Sequence, residues 1–128
     1  MPGVRHDRHY TLDEARALLT WVSDRIALLR AARERLTDQE TREALHAGSP
    51  TNGGGRAGRQ VGEAFLALRA AAASFDEREI VLRDLDRGLV DFPALRDGRE
   101  IYLCWVDGEP DIEFWHELDA GYTGRQAL

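Results

Sequence analysis

The residues best suited to chemistry crowd into one stretch. Between positions 104 and 125 lie the single cysteine, Cys104, two of three tryptophans, Trp105 and Trp115, and one of four histidines, His116. Glu109, Asp111, Glu117, Asp119, Tyr122 and Arg125 accompany them. A thiol, an imidazole and carboxylates are the donor set of a zinc-type site. A histidine followed by acids is also the pattern of a general base or metal ligand oriented by a carboxylate. His116, Glu117 and Asp119 are therefore the candidate catalytic residues, and Trp105, Trp115, Tyr122 and Arg125 the candidate binding residues. The competing reading is structural. His116 would be a core-edge residue hydrogen-bonded to an acid or backbone, and Cys104 a small buried hydrophobe with no neighbouring cation in sequence to activate it. Arg125 would close on the acidic rim rather than bind an anion.

Strand geometry tests the pairing. With Asp107-Gly108-Glu109-Pro110 as a tight turn, Trp105 faces Ile112, Cys104 faces Glu113 and Ile101 faces His116. Side chains alternate along a strand. One face then reads Ile101, Leu103, Trp105, Ile112, Phe114, His116 and packs on the helices. The other reads Tyr102, Cys104, Val106, Asp111, Glu113, Trp115 and is the more exposed. Cys104 and His116 point to opposite sides in this register, which disfavours a joint metal site or a Cys–His nucleophile pair, although a bulge would reverse it. No metal and no cofactor is expected. His6 and His9 stand before the first helix on a flexible segment, too few for a selective metal site.

The elements that position these residues divide into two halves. Thr11-Leu12-Asp13-Glu14 is a capping box. Ala15, Leu18, Leu19, Val22, Ile26, Leu29 and Leu36 follow at helical spacing, predicting an amphipathic helix of about 25 residues; Thr37-Asp38-Gln39-Glu40 either restarts or continues it. Trp21 widens its apolar stripe. A glycine-rich breaker at about 47–56 predicts a flexible loop. A second helix, about Arg56 to Glu79, carries Val61, Phe65, Leu68, Ala72 and Phe75, with Ala70 to Ala73 allowing close approach of a neighbour. After residue 80 the period changes. Ile80-Val81-Leu82 can start a strand, Gly88 to Phe92 is a short strand stopped by Pro93, Asp97-Gly98 is a turn, Arg99 to Val106 is a strand, and Asp111 to His116 is the last one. The tail from Ala120 to Arg125 reads as loop. The expected fold is α+β: a long antiparallel helical hairpin, about 11–79, packed on an antiparallel β-meander of about three strands with a tail, about 80–128, all in one domain, 1–128.

Composition narrows the function classes. The chain has 128 residues, 17 basic and 23 acidic side chains, and a net charge of −6. All the basic residues are arginine, which excludes Schiff-base and P-loop lysine chemistry. Residues 1–75 carry 11 Arg against 9 acids, and residues 76–128 carry 6 Arg against 14. The acidic half argues against nucleic-acid binding. One cysteine builds no internal disulfide, no apolar run reaches membrane-spanning length, and the first residues lack a signal-peptide core, so a cytoplasmic protein without membrane contact is expected.

Two segments carry a resemblance. YTLDEARALL near the start and GLVDFPALRDGREIYLCWVDGEPDIEFWHELDAGYTGRQ near the end resemble the bacterial domain-of-unknown-function 2203 family. The likeness spans nearly the whole chain, and the run from Gly88 to Arg125 is its specific part. It implies an uncharacterised protein of this α+β layout, with no activity, substrate or cofactor attached. Two departures stand out: Thr20 follows the leucine pair where the family tends to proline, which leaves the first helix less interrupted, and Ala127 replaces a proline near the end.

The first functional expectation is a non-enzymatic interaction or structural protein, a homodimer or higher homo-oligomer associating through its helices. The alternative is a small-molecule- or metal-binding enzyme using the His/Glu/Asp/Arg cluster, its small molecule unidentified.

Overall fold

The computed structural model describes residues 4–45 and 56–128. The glycine-rich segment expected to be a loop falls largely outside them. Helix α1 spans Leu12–Ala17, α2 Leu19–Leu45 and α3 Arg56–Glu77. The capping box is made in full: Thr11 Oγ1 accepts from the Glu14 N–H at 3.1 Å, and Glu14 Oε1 accepts from the Thr11 N–H at 2.8 Å. The helix is interrupted once, at Leu18, whose N–H turns to the Ala15 carbonyl; the ladder resumes with Val22 N–H on the Leu18 carbonyl. The first helix is thus broken despite Thr20. It then runs through Thr37-Asp38-Gln39-Glu40 without a restart.

Helices α2 and α3 pack on each other in opposite directions, since Trp21 near the start of α2 meets Phe75 near the end of α3 edge-on at 5.4 Å. The stripe on α3 differs from expectation. Ala64, Ala71 and Phe75 are buried, whereas Phe65 is half exposed and Ala72 exposed. Small residues set this contact: Ala64 and Ala71 are buried on α3 and Ala32 on α2, and small side chains let two helices approach closely. Pattern reading weights the large residue, so it places the seam one position away.

Five antiparallel strands, rather than about three, follow in the order β1-β2-β3-β4-β5: Val81–Asp84, Leu89–Arg96, Arg99–Val106, Phe114–Glu117 and Gln126–Ala127. β3 has the expected limits. It joins β2 through Asp97 (φ 52°) and Gly98 (φ 77°), the left-handed pair of a two-residue hairpin turn. β2 runs on through Pro93, which does not stop it. The Pro93 carbonyl accepts the Tyr10 N–H at 2.7 Å, on the side away from β3. The N and C=O of one strand residue point the same way, so the missing N–H faces the edge and costs no ladder bond. The tail expected as loop contributes a short 3-10 helix, Tyr122–Gly124, and β5 follows directly after it.

The core lies between the helices and one sheet face. Val90, Phe92, Ala94, Ile101, Leu103, Trp105 and Trp115 meet Val22, Ile26, Leu29 and Phe75 there. The opposite sheet face is covered by two segments from distant parts of the sequence. One is a strap, Arg5–His9, which meets Glu100 and Tyr102, and the other runs from Leu118 to Arg125, past Asp91, His116 and Phe114.

Candidate functional site

Register decides what the outer face carries. β3 and β4 pair Ile101 with Glu117, Tyr102 with His116, Leu103 with Trp115 and Cys104 with Phe114. This is one residue from the expected register, and a one-residue shift turns every side chain of a strand to the other face. The connection causes it. Asp107 to Glu113 form an irregular seven-residue loop, bridged at Asp107 and Glu109, instead of a tight turn. Two expectations are thereby corrected. Trp115, placed on the exposed face, lies in the core at 6% exposure. Cys104 and His116, placed on opposite faces, share one.

A third residue joins them. Asp91 on β2 pairs with Cys104 on β3, and one ligand atom each from Asp91, Cys104 and His116 lie within 4.8 Å of one another. Asp91 is 1% exposed and His116 likewise 1%. Sequence reading missed Asp91. The available signal was a lone acid inside the apolar strand run Leu89-Val90-Asp91-Phe92, since a buried acid demands a partner.

Both ring nitrogens of His116 and both carboxylate oxygens of Asp91 are matched. His116 Nδ1 lies 2.6 Å from the Glu117 carbonyl oxygen and Nε2 lies 2.9 Å from Asp91 Oδ1. Arg83 Nε donates to Asp91 Oδ2 at 2.9 Å. Burial works to lower the His116 pKa. The hydrogen bonds to the Asp91 carboxylate and the Glu117 carbonyl outweigh it, and the net shift is upward. Burial pushes the Cys104 thiol the other way, up to about 12, and the nearby Asp91 charge adds to this, so the thiol is protonated at neutral pH.

A cleft of about 380 Å³ opens over this set, lined by Arg5, Arg83, Asp91, His116, Asp119 and Tyr122 among others. Three of the sequence candidates, His116, Asp119 and Tyr122, thus converge. Arg5 Nη2 reaches Asp119 at 3.1 Å across the rim. Arg83 lies 5.1 Å over the Tyr102 ring, and beyond its Nε its guanidinium has no hydrogen bond among the described residues.

The other candidates stand elsewhere. Glu117 turns to Arg99 at 2.6 Å. Arg125 closes on both oxygens of Glu109 at 2.8 Å and lies 4.0 Å over Phe114. Trp105 is in the core, its Nε1 donating to the Glu109 carbonyl. Trp21 is half-buried against the core, with Arg78 at 4.2 Å over its ring.

The segment expected to be flexible is tied down. Glu100 accepts from the N–H groups of Arg5 and His6 and lies 2.8 Å from His9 Nε2. Glu79 accepts from the N–H groups of Asp7 and Arg8. His6 Nε2 meets the Tyr102 hydroxyl at 2.6 Å.

A family model described as an uncharacterized conserved protein, DUF2203, matches residues 8–128. No curated protein and no solved structure matches the chain.

Proposed function

The chain belongs to the DUF2203 family of uncharacterized conserved proteins, and on that premise we propose that it binds a small anionic molecule in the cleft above Asp91 and His116. The carrying observation is Arg83. Its Nε is committed to Asp91, while the rest of its guanidinium faces a concave site without a hydrogen bond among the described residues. A planar fork presented this way suits carboxylates and phosphates. Arg5 brings a second guanidinium to the same cleft, and Tyr122 supplies an aromatic wall. This reading favours the second of the two functional expectations, with Asp91 and Arg83 replacing Glu117 and Arg125 beside His116. The single thiol supports a cytoplasmic setting.

Thermal-shift measurements with inorganic phosphate, a phosphate monoester and a dicarboxylate test the proposal. At least one is expected to raise Tm by several degrees. Arg83→Gln is expected to abolish the rise, and Arg99→Gln, outside the cleft, to keep it. Failure of all three probes, or an undiminished shift in Arg83→Gln, overturns the reading.

A second reading is self-association through the helices. Leu28 on α2 and Phe65 and Leu66 on α3 are each at least half exposed. Light scattering after size exclusion at low micromolar concentration is expected to give a dimer mass or larger; a strict monomer overturns it.

A further inference from the structure

We propose that Asp91, Cys104 and His116 form a site for one divalent metal ion of the zinc class. The donors are a carboxylate oxygen, a thiolate sulfur and an imidazole nitrogen, a set suited to zinc or cobalt rather than to magnesium or calcium. They come from β2, β3 and β4, three neighbouring strands whose register holds them on one face. Their ligand atoms already lie within 4.8 Å of one another. Ligands at about 2.0–2.3 Å from a tetrahedral ion stand roughly 3.3–3.8 Å apart. His116 Nε2 and Asp91 Oδ1, now 2.9 Å apart, spread to admit the ion while the sulfur draws nearer to both.

The surroundings match the same assignment. His116 donates Nδ1–H to the Glu117 carbonyl, which leaves Nε2 as the ligand nitrogen; metal-bound histidines characteristically anchor their other nitrogen in this way. On binding, Asp91 Oδ1 exchanges its contact with His116 Nε2 for the ion, while Oδ2 keeps Arg83. The Cys104 proton and the Nε2 proton that His116 shares with Asp91 leave to solvent as the sulfur–metal and nitrogen–metal bonds form, and the ion's own charge offsets the burial and the Asp91 charge that otherwise hold the thiol protonated. Asp91 and His116 both line the cleft, so a fourth, exchangeable position lies on that side. Three protein ligands with one open position is the arrangement of a catalytic rather than a structural zinc centre. The assignment does not depend on the anion reading, because three side chains hold the ion whether or not the cleft is filled.

Because Cys104 is the only cysteine, a thiolate–metal band reports this site alone. Untagged, metal-stripped full-length protein is titrated with Co²⁺ at neutral pH and followed by absorbance. The expected result is a near-ultraviolet thiolate-to-cobalt band with visible bands of tetrahedral intensity, saturating at one equivalent and displaced by one equivalent of Zn²⁺. His116→Gln and Asp91→Asn are each expected to weaken Co²⁺ binding by about tenfold or more. No thiolate band in the wild type at saturating Co²⁺ overturns the proposal, and that measurement needs no variant to fold. A band of unchanged affinity in both variants overturns it equally. Anion shifts measured on the metal-free protein separate failure of this site from failure of the cleft reading.

Discussion

Glu100 shows how one carboxylate organises a segment nearly a hundred residues away. It accepts two backbone N–H groups, from Arg5 and His6, and meets the His9 ring. Burial alone would raise its pKa; the donors from Arg5, His9 and His6 outweigh that and hold it below its ordinary value of 4.5. A carboxylate with a lowered folded pKa stabilises the fold above its unfolded value, and that contribution is lost as pH falls through the folded pKa. Glu100→Gln is therefore expected to lower stability at neutral pH and to flatten the loss of stability below about pH 4.5. Urea denaturation across pH checks both; a parallel acid limb in the variant contradicts the assignment. Asp91 carries the same lesson for the site, since its burial among three strands is a tertiary fact that its place in the sequence only hints at.

At the scale of elements, the end of α3 is the most informative join. Ile80 N–H bonds to the Phe75 carbonyl and Glu79 N–H to that of Asp76, the double bond of a helix stop that normally has glycine at the left-handed position. Here Glu79 occupies it at φ 56°. A non-glycine residue pays about 1 kcal/mol for that conformation, and the glutamate offsets it by holding the N–H groups of Asp7 and Arg8. Glu79→Ala loses these bonds and keeps the strain; Glu79→Gly loses them and removes it. The glycine variant is expected to be the more stable of the two by about 1 kcal/mol in chemical denaturation, with both below wild type. Local signals of this kind decide what could be read in advance. The capping box at Thr11, the turn at Asp97-Gly98 and the limits of β3 rest on short-range chemistry, and all three were legible. The β3–β4 register was not, because the irregular Asp107 to Glu113 loop sets it. β5 has two residues and no periodicity to detect. Pro93 misled because whether it faces an edge depends on Tyr10, more than eighty positions away. The one-residue shift also hid the outer face: Cys104 and His116 were both singled out but placed on opposite sides of the sheet, and Asp91 was not singled out.

Across the whole molecule, the uneven charge becomes a set of contacts between the two halves. Arg16 reaches Asp111, Arg30 reaches Asp107, Arg33 reaches Asp86 and Arg5 reaches Asp119. Exposed pairs contribute little individually. Arg30 differs because it also donates to the carbonyls of Leu85 and Asp86, gripping the β1–β2 turn. That turn is tight against Asp107: a Cβ at Gly88, where φ is +69°, would stand 2.5 Å from the Asp107 Cβ. Arg30→Ala is expected to cost about 1–2 kcal/mol, and Arg16→Ala no more than about 0.5 kcal/mol, in urea denaturation. Among the described residues no helix is long and apolar enough to cross a membrane. The contact between Arg5 and Asp119 has a further consequence. It joins the strap to the segment after β4, positions 114 apart in sequence, across the mouth of the cleft. Both residues line the cleft, so a molecule bound there has the two surface segments as neighbours. Occupancy should slow exchange of the Arg5, His6, Asp7 and Arg8 amide hydrogens with deuterated solvent while leaving the rates of the central β3 amides unchanged.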